Sequence, residues 1–138
     1  MIIVDASVVY KWIIHEQDEA VGAALLLRDR YIAGDARVSA PDLLLYEIAN
    51  ILAYKASLSR LDAQEAWKNF LLLDLPVVTA TRIFVGECLT FSRQYHISVY
   101  DAAYVILAKI KQCDLVTADK KLVARVKLPY VRSILSYS

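Results

Sequence analysis

Asp5, Glu47, Asp101 and Asp119 are the residues whose types and settings could do chemistry together. Each also has an ordinary structural explanation. Asp5 ends an apolar run, where an aspartate often caps the next helix by accepting a backbone N–H bond. Asp101 closes Ser98-Val99-Tyr100-Asp101, a pattern that fits a capping box in which the two end residues satisfy each other's backbone donors. Asp119 precedes Lys120-Lys121-Leu122 and could cap a short helix. Glu47 is the hardest to explain in this way. Its neighbours one turn away are Leu43, Leu44, Asn50 and Ile51, so it shares a mostly apolar helix face. An unpaired carboxylate there costs several kcal/mol or more, and the nearest base on the same helix, Lys55, is two turns along. A salt bridge to a more distant basic residue is the structural alternative.

A shared site explains all four acids together. Carboxylates within about 4 Å of one another repel by roughly 4 kcal/mol per pair at an effective dielectric near 20, and a divalent cation relieves that repulsion. Oxygen-only ligation without clustered His or Cys suits Mg²⁺ or Mn²⁺ rather than zinc or copper, and that metal class belongs to phosphoryl chemistry. Cys88 and Cys113 are isolated and support neither a zinc site nor a redox motif. His15 and His96 are the only histidines, so a metal-free route with a paired acid and base would require those two to converge.

The elements that must position these acids alternate between strand and helix. Met1 to Val4 reads as a buried strand that stops at Asp5, and the helical spacing of Val21, Ala24, Leu25 and Leu27 predicts a helix over 18–33 with Gly34 closing it. Val38-Ser39-Ala40 reads as a second strand. Pro41 opens a helix to about Ser57, and a further helix begins near Ser59 or Asp62. A strand over 76–79, helices over 81–95 and 99–112, a strand over 115–117 and an edge strand over 130–134 complete the pattern, while 123–126 is too short to assign. Such alternation implies an α/β fold with a parallel sheet and helices on both faces, and its sites form at the carboxyl ends of the strands.

Composition limits what else the chain could be. Its 138 residues fit one domain, 1–138, with neither repeats nor a readable linker. The 58% apolar content and mean hydropathy of +0.41 suggest that part of the surface meets another protein chain. The apolar runs are too short to span a bilayer, and no signal-peptide pattern opens the sequence, so a cytoplasmic protein with no membrane contact is expected. A net charge of +1 supplies no broad field for a polyanion, so any RNA contact must come from local patches. Lys120, Lys121 and Arg125 could guide a phosphate backbone or could form a solvated helix face. Tyr10, Trp12, Tyr100 and Tyr104 are assigned no part in recognition, because tyrosines at helical spacing are more often core or interface.

Val4-Asp5-Ala6-Ser7, the run Pro41-Asp42-Leu43-Leu44-Leu45-Tyr46-Glu47-Ile48-Ala49-Asn50, Ser98 to Tyr104 and Leu115 to Leu122 together span nearly the whole chain. In order and spacing they resemble the PIN-domain family, particularly the VapC-type toxins of prokaryotic toxin–antitoxin pairs. The resemblance implies a PIN-like fold, a three-layer α/β/α arrangement with a parallel central sheet. It places Asp5, Glu47, Asp101 and Asp119 around one or two Mg²⁺ or Mn²⁺ ions as catalytic and metal-binding residues, with Ser7 and Thr117 supporting them through hydrogen bonds. It further implies an endoribonuclease acting on RNA, a homodimer, and a small VapB-like antitoxin that blocks the acids.

Three rival readings differ in class. A PIN-like domain without activity would serve as an RNA-binding or protein-interaction module, although such a module has no need of all four acids. A receiver-like phosphotransfer domain also gathers acids at strand ends but has no natural place for Glu47 on an apolar helix face. A DNA-directed metal-dependent nuclease would use the same ion chemistry, and only substrate tests separate it from a ribonuclease.

Overall fold

Five short strands, β1 (Ile2–Val4), β2 (Val38–Pro41), β3 (Val77–Val78), β4 (Asp114–Thr117) and β5 (Val131–Ser133), form one parallel sheet in the order β3-β2-β1-β4-β5. The structure, a computed structural model, describes residues 1–137; Ser138, the end of the expected domain, lies outside them. The two central strands read as unbroken apolar runs because they are covered on both faces: Ile3, Val4, Leu115 and Val116 are fully buried. Two residues suffice for β3 because it is an edge strand that pairs only with β2.

Among the described residues seven helices flank the sheet: α1 (Ala6–Ile13), α2 (Val21–Ile32), α3 (Leu43–Tyr54), α4 (Arg60–Leu72), α5 (Arg82–Tyr95), α6 (Val99–Lys111) and α7 (Lys120–Val126). Helices α1 to α4 pack on one another, α5 packs on α6, and α6 lies against β1, β2 and β4. Parallel neighbours require such crossovers, and the predicted three-layer α/β/α arrangement results. Helix α6 is the most buried: Ala102 through Ala108 are all buried, so the helix that carries Asp101 is fixed by the core.

The structure departs from the sequence-based elements at four places. Residues 6–13, to which the sequence assigns no element, form α1. Val8, Val9 and Ile13 are β-branched and weak helix formers, so α1 depends on tertiary burial of its apolar face and on the Asp5 cap. Pro41 ends β2 instead of opening α3; lacking an N–H, it pairs opposite Val78 while Asp42 N–H donates to Val78 O at 2.9 Å. Residues 123–126 complete α7, whose N-cap is Asp119. Helix α2 starts at Val21 rather than Asp18, because the Asp18 carboxylate takes the Ala20 N–H at 2.8 Å. Gly34 closes α2 as expected, at φ +84, a conformation that glycine adopts without strain.

Candidate active site

From β1 the chain crosses to β2 and β3 on one side, then returns through α5 and α6 to β4 on the other side of β1. That reversal leaves a crevice beyond the carboxyl ends of β1 and β4, the place where open α/β sheets hold their ligands. Asp5 is the first residue after β1. Asp119 stands two residues beyond β4. Because Val4 pairs with Val116, Asp5 lies beside Thr117 across the strand pair.

Asp5 is held from both sides. Ser7 Oγ donates to Oδ1 at 2.5 Å, Ser7 N–H donates to the same oxygen at 3.1 Å, and Thr117 Oγ1 donates to Oδ2 at 2.5 Å. Those hydroxyls are themselves anchored, since Ala118 N–H donates to Ser7 Oγ at 2.9 Å and Asp119 N–H donates to Thr117 Oγ1 at 3.0 Å. Capping and site formation therefore coexist at Asp5: the side chain that starts α1 is fixed against the end of β4. The carboxylate is only 6% exposed, and burial pushes its pKa up to about 6 despite those hydrogen bonds.

Asp119 caps α7 through Oδ1, which accepts from Lys121 N–H at 2.9 Å and Leu122 N–H at 3.1 Å. Its second oxygen accepts no hydrogen bond among the described residues. Asp101 lies in the first turn of α6, and half of the expected capping box is present, with Asp101 N–H donating to Ser98 Oγ at 3.0 Å. Burial first, and Asp119 second, push the Asp101 carboxyl above its usual range.

Glu47 projects from the middle of α3 and is half-buried. The distant basic partner that would explain it structurally is not there. Its partner is Tyr104 of α6, whose phenol donates to Oε1 at 2.5 Å. Burial and then Asp101 raise the Glu47 pKa, with the Tyr104 bond opposing them. Asp5, Glu47 and Asp119 are each electrostatically coupled to Asp101, which makes Asp101 the hub of the group.

None of the four acids meets a lysine or arginine within ion-pair distance among the described residues; the five ion pairs there use Glu16, Asp18, Glu19, Asp29 and Asp114. The result is surplus negative charge beside a low-dielectric core. Oxygen-only donors with no cationic neighbour fit a hard divalent cation. No three acidic, histidine or cysteine side chains stand at ligand spacing among the described residues, so the carboxylates would have to turn inward to share an ion. Beside Glu47 a groove of about 720 Å³ opens, lined by Leu43, Tyr46, Asn50, Ala53 and Tyr100.

The family model described as PIN domain matches residues 2–128. This chain belongs to the PIN-domain family. Among curated relatives, ribonuclease VapC9 of Mycobacterium tuberculosis is 33% identical over 118 residues, covering 76% of this chain and 85% of the relative. The crystal structure of PAE2754 from Pyrobaculum aerophilum shares the fold at a TM-score of 0.72 and 24% identity, covering 98% of this chain and 90% of that one. A toxin–antitoxin complex from Klebsiella pneumoniae has a TM-score of 0.68 at 12% identity, covering 97% and 98% respectively. PIN-domain ribonucleases generally depend on a divalent metal, which agrees with the unneutralised acids at the β1–β4 crevice.

Several other candidates have other settings. His15 lies in the loop after α1, and His96 is the left-handed cap of α5; both are exposed. Lys120 pairs with Glu19 on the surface. Trp12 is buried with its indole N–H on Ala24 O, and Tyr10 donates to Glu16. Tyr104 is the contributor that sequence reasoning missed. Its only signal is its place one turn after Asp101 on the same helix face; its contact with Glu47 arises from the packing of α3 near α6.

Proposed function

We propose that this PIN domain is the toxin of a VapBC-type pair, an endoribonuclease that hydrolyses RNA phosphodiesters with Mg²⁺ or Mn²⁺. The observation that carries the reading is the set of four acids, none neutralised by a cationic side chain, about the crevice between β1 and β4. Asp5, Glu47, Asp101 and Asp119 are the residues that would hold one or two ions, and Ser7 and Thr117 support them through Asp5. When bound, the ion supplies Lewis acidity, lowers the pKa of water and offsets charge on the departing oxygen. The chain's own contribution is orientation. Ser7 and Thr117 fix both oxygens of Asp5, the α7 cap fixes one oxygen of Asp119, and the core holds α6 and with it Asp101. Hydrolysis by water leaves 3′-hydroxyl and 5′-phosphate ends.

We further propose that residues 1–138 act as a single domain, in the cytoplasm and as a homodimer. No helix among the described residues is long and apolar enough to cross a membrane. Exposed Tyr46, Tyr54, Leu72 and Ile83 provide apolar surface for protein contacts. A small VapB-like antitoxin is the proposed regulatory partner, supported by likeness to a chain of a solved toxin–antitoxin complex.

The test is incubation of the purified protein with single-stranded and structured RNA, and with matching DNA, in Mg²⁺ or Mn²⁺, followed by analysis of product ends. RNA fragments bearing 5′-phosphates support the reading. Equal cleavage of DNA would assign a general nuclease, cyclic-phosphate ends made in EDTA would exclude the metal-dependent route, and intact RNA and DNA would favour a binding module.

A further inference from the structure

We propose that Tyr104 is a positioning residue for Glu47, holding one carboxylate oxygen in place so that the other remains available to a divalent cation. The inference rests on the metal-dependent reading above.

Tyr104 is 1% exposed and is the largest fully buried side chain among the described residues. A buried phenol needs a hydrogen-bond partner, and among the described residues its hydroxyl has one, Glu47 Oε1 at 2.5 Å. Core packing fixes the ring, so the hydroxyl is a stationary donor. Glu47 is its opposite: a half-buried side chain with three rotatable bonds and no basic partner among the described residues. Left alone, such a carboxylate would turn toward water, because solvation favours its charge. The Tyr104 bond opposes that rotation and leaves Oε2 without a hydrogen bond among the described residues. A donor already oriented loses less freedom when it takes up a ligand.

The arrangement also links two of the acids. Tyr104 follows Asp101 by one helical turn on α6, so the same rigid helix presents Asp101 directly and steadies Glu47 across the gap to α3. The relative placement of the two carboxylates is thereby set by one element. A tyrosine present only for packing would need its ring in the core but would not require its hydroxyl to meet a site acid.

The test is Mn²⁺ titration of the purified chain by calorimetry, comparing wild type, Tyr104→Phe, Glu47→Gln and the double variant, with metal-free melting recorded for each. Phenylalanine preserves the ring, so metal-free melting should stay close to wild type while the Mn²⁺ dissociation constant rises about tenfold. In the Glu47→Gln background the tyrosine substitution should add nothing. Unchanged Mn²⁺ affinity in folded Tyr104→Phe would overturn the positioning role, as would an equal loss in both backgrounds. If Tyr104→Phe does not fold, Mg²⁺ titration of wild type and Glu47→Gln with tyrosine ring carbons labelled supplies the decision. The resonance of Tyr104 should move with Mg²⁺ in wild type only, and no movement in wild type would overturn the proposal. A wild type that binds neither ion would instead remove the metal-dependent reading itself, and this inference with it.

Discussion

Thr117 Oγ1 donates to Asp5 Oδ2 at 2.5 Å, tying the carboxyl ends of two adjacent parallel strands to one carboxylate. The bond is buried, and Thr117 is fully inaccessible. Removing the hydroxyl leaves Asp5 held by Ser7 alone. Thr117→Val should therefore lower RNA cleavage about 10- to 100-fold, the range for groups that orient metal ligands. Thr117→Ser, which keeps the donor, should stay within a few-fold of wild type. Single-turnover rates on one RNA compare the three.

Asp5 also sets a pH dependence of stability in the metal-free protein. Its pKa stands at about 6 in the folded chain against 3.8 for an ordinary aspartate, because burial disfavours the charged form. A raised acid contributes stability that is complete below pH 3.8 and lost as pH rises through about 6. The gap corresponds to about 3 kcal/mol. Asp5→Asn should accordingly melt higher than wild type at pH 7 without metal, and the difference should vanish near pH 4. Melting curves in EDTA across that range check the sign. A variant that is less stable at both pH values would count against uncompensated charge at this position.

Divalent cation should reverse that cost. Since Glu47 and Asp101 are also raised by burial and by like charge, an ion that binds only the folded chain should stabilise it by about 2.7 kcal/mol at a hundredfold excess over its dissociation constant. The expected observation is an upward shift in melting temperature with Mn²⁺ or Mg²⁺ that EDTA abolishes. The shift should be smaller in Asp101→Asn, because Asp101 couples to each of the other three acids.

Away from the site, Trp12 joins α1 to α2 through its indole N–H on Ala24 O at 2.7 Å. Trp12→Phe should cost about 1 to 2 kcal/mol, from the lost hydrogen bond and the smaller buried ring. Urea denaturation reads the loss. Cleavage by the folded variant at 25 °C should be unchanged, which separates stability from chemistry.

The parallel sheet was legible because β1 and β4 are buried on both faces and therefore appear as continuous apolar runs that stop at polar residues. Asp5 and Asp119 were legible for the same reason, since each follows such a run. Glu47 stood out as a charge on an apolar helix face. Helix α1 was hidden because Val8, Val9 and Ile13 favour other conformations locally, and only packing against α2, α3 and α4 makes the segment helical. Pro41 misled because its missing N–H suits an edge of the β2–β3 ladder as well as a first helical turn. The partner of Glu47 was unreadable in principle, because Tyr104 and Glu47 meet only through tertiary packing of two distant helices.

The most direct test of the four-acid account is cleavage of a single RNA by wild type and by Asp5→Asn, Glu47→Gln, Asp101→Asn and Asp119→Asn, each shown to be folded. Wild type should cleave only with metal and stop in EDTA, and every variant should fall at least 100-fold, of the order seen when a group stabilising transition-state charge is removed. Full activity in any one folded variant would take that residue out of the site, and wild-type cleavage that persists in EDTA would rule out a metal site built on these four acids.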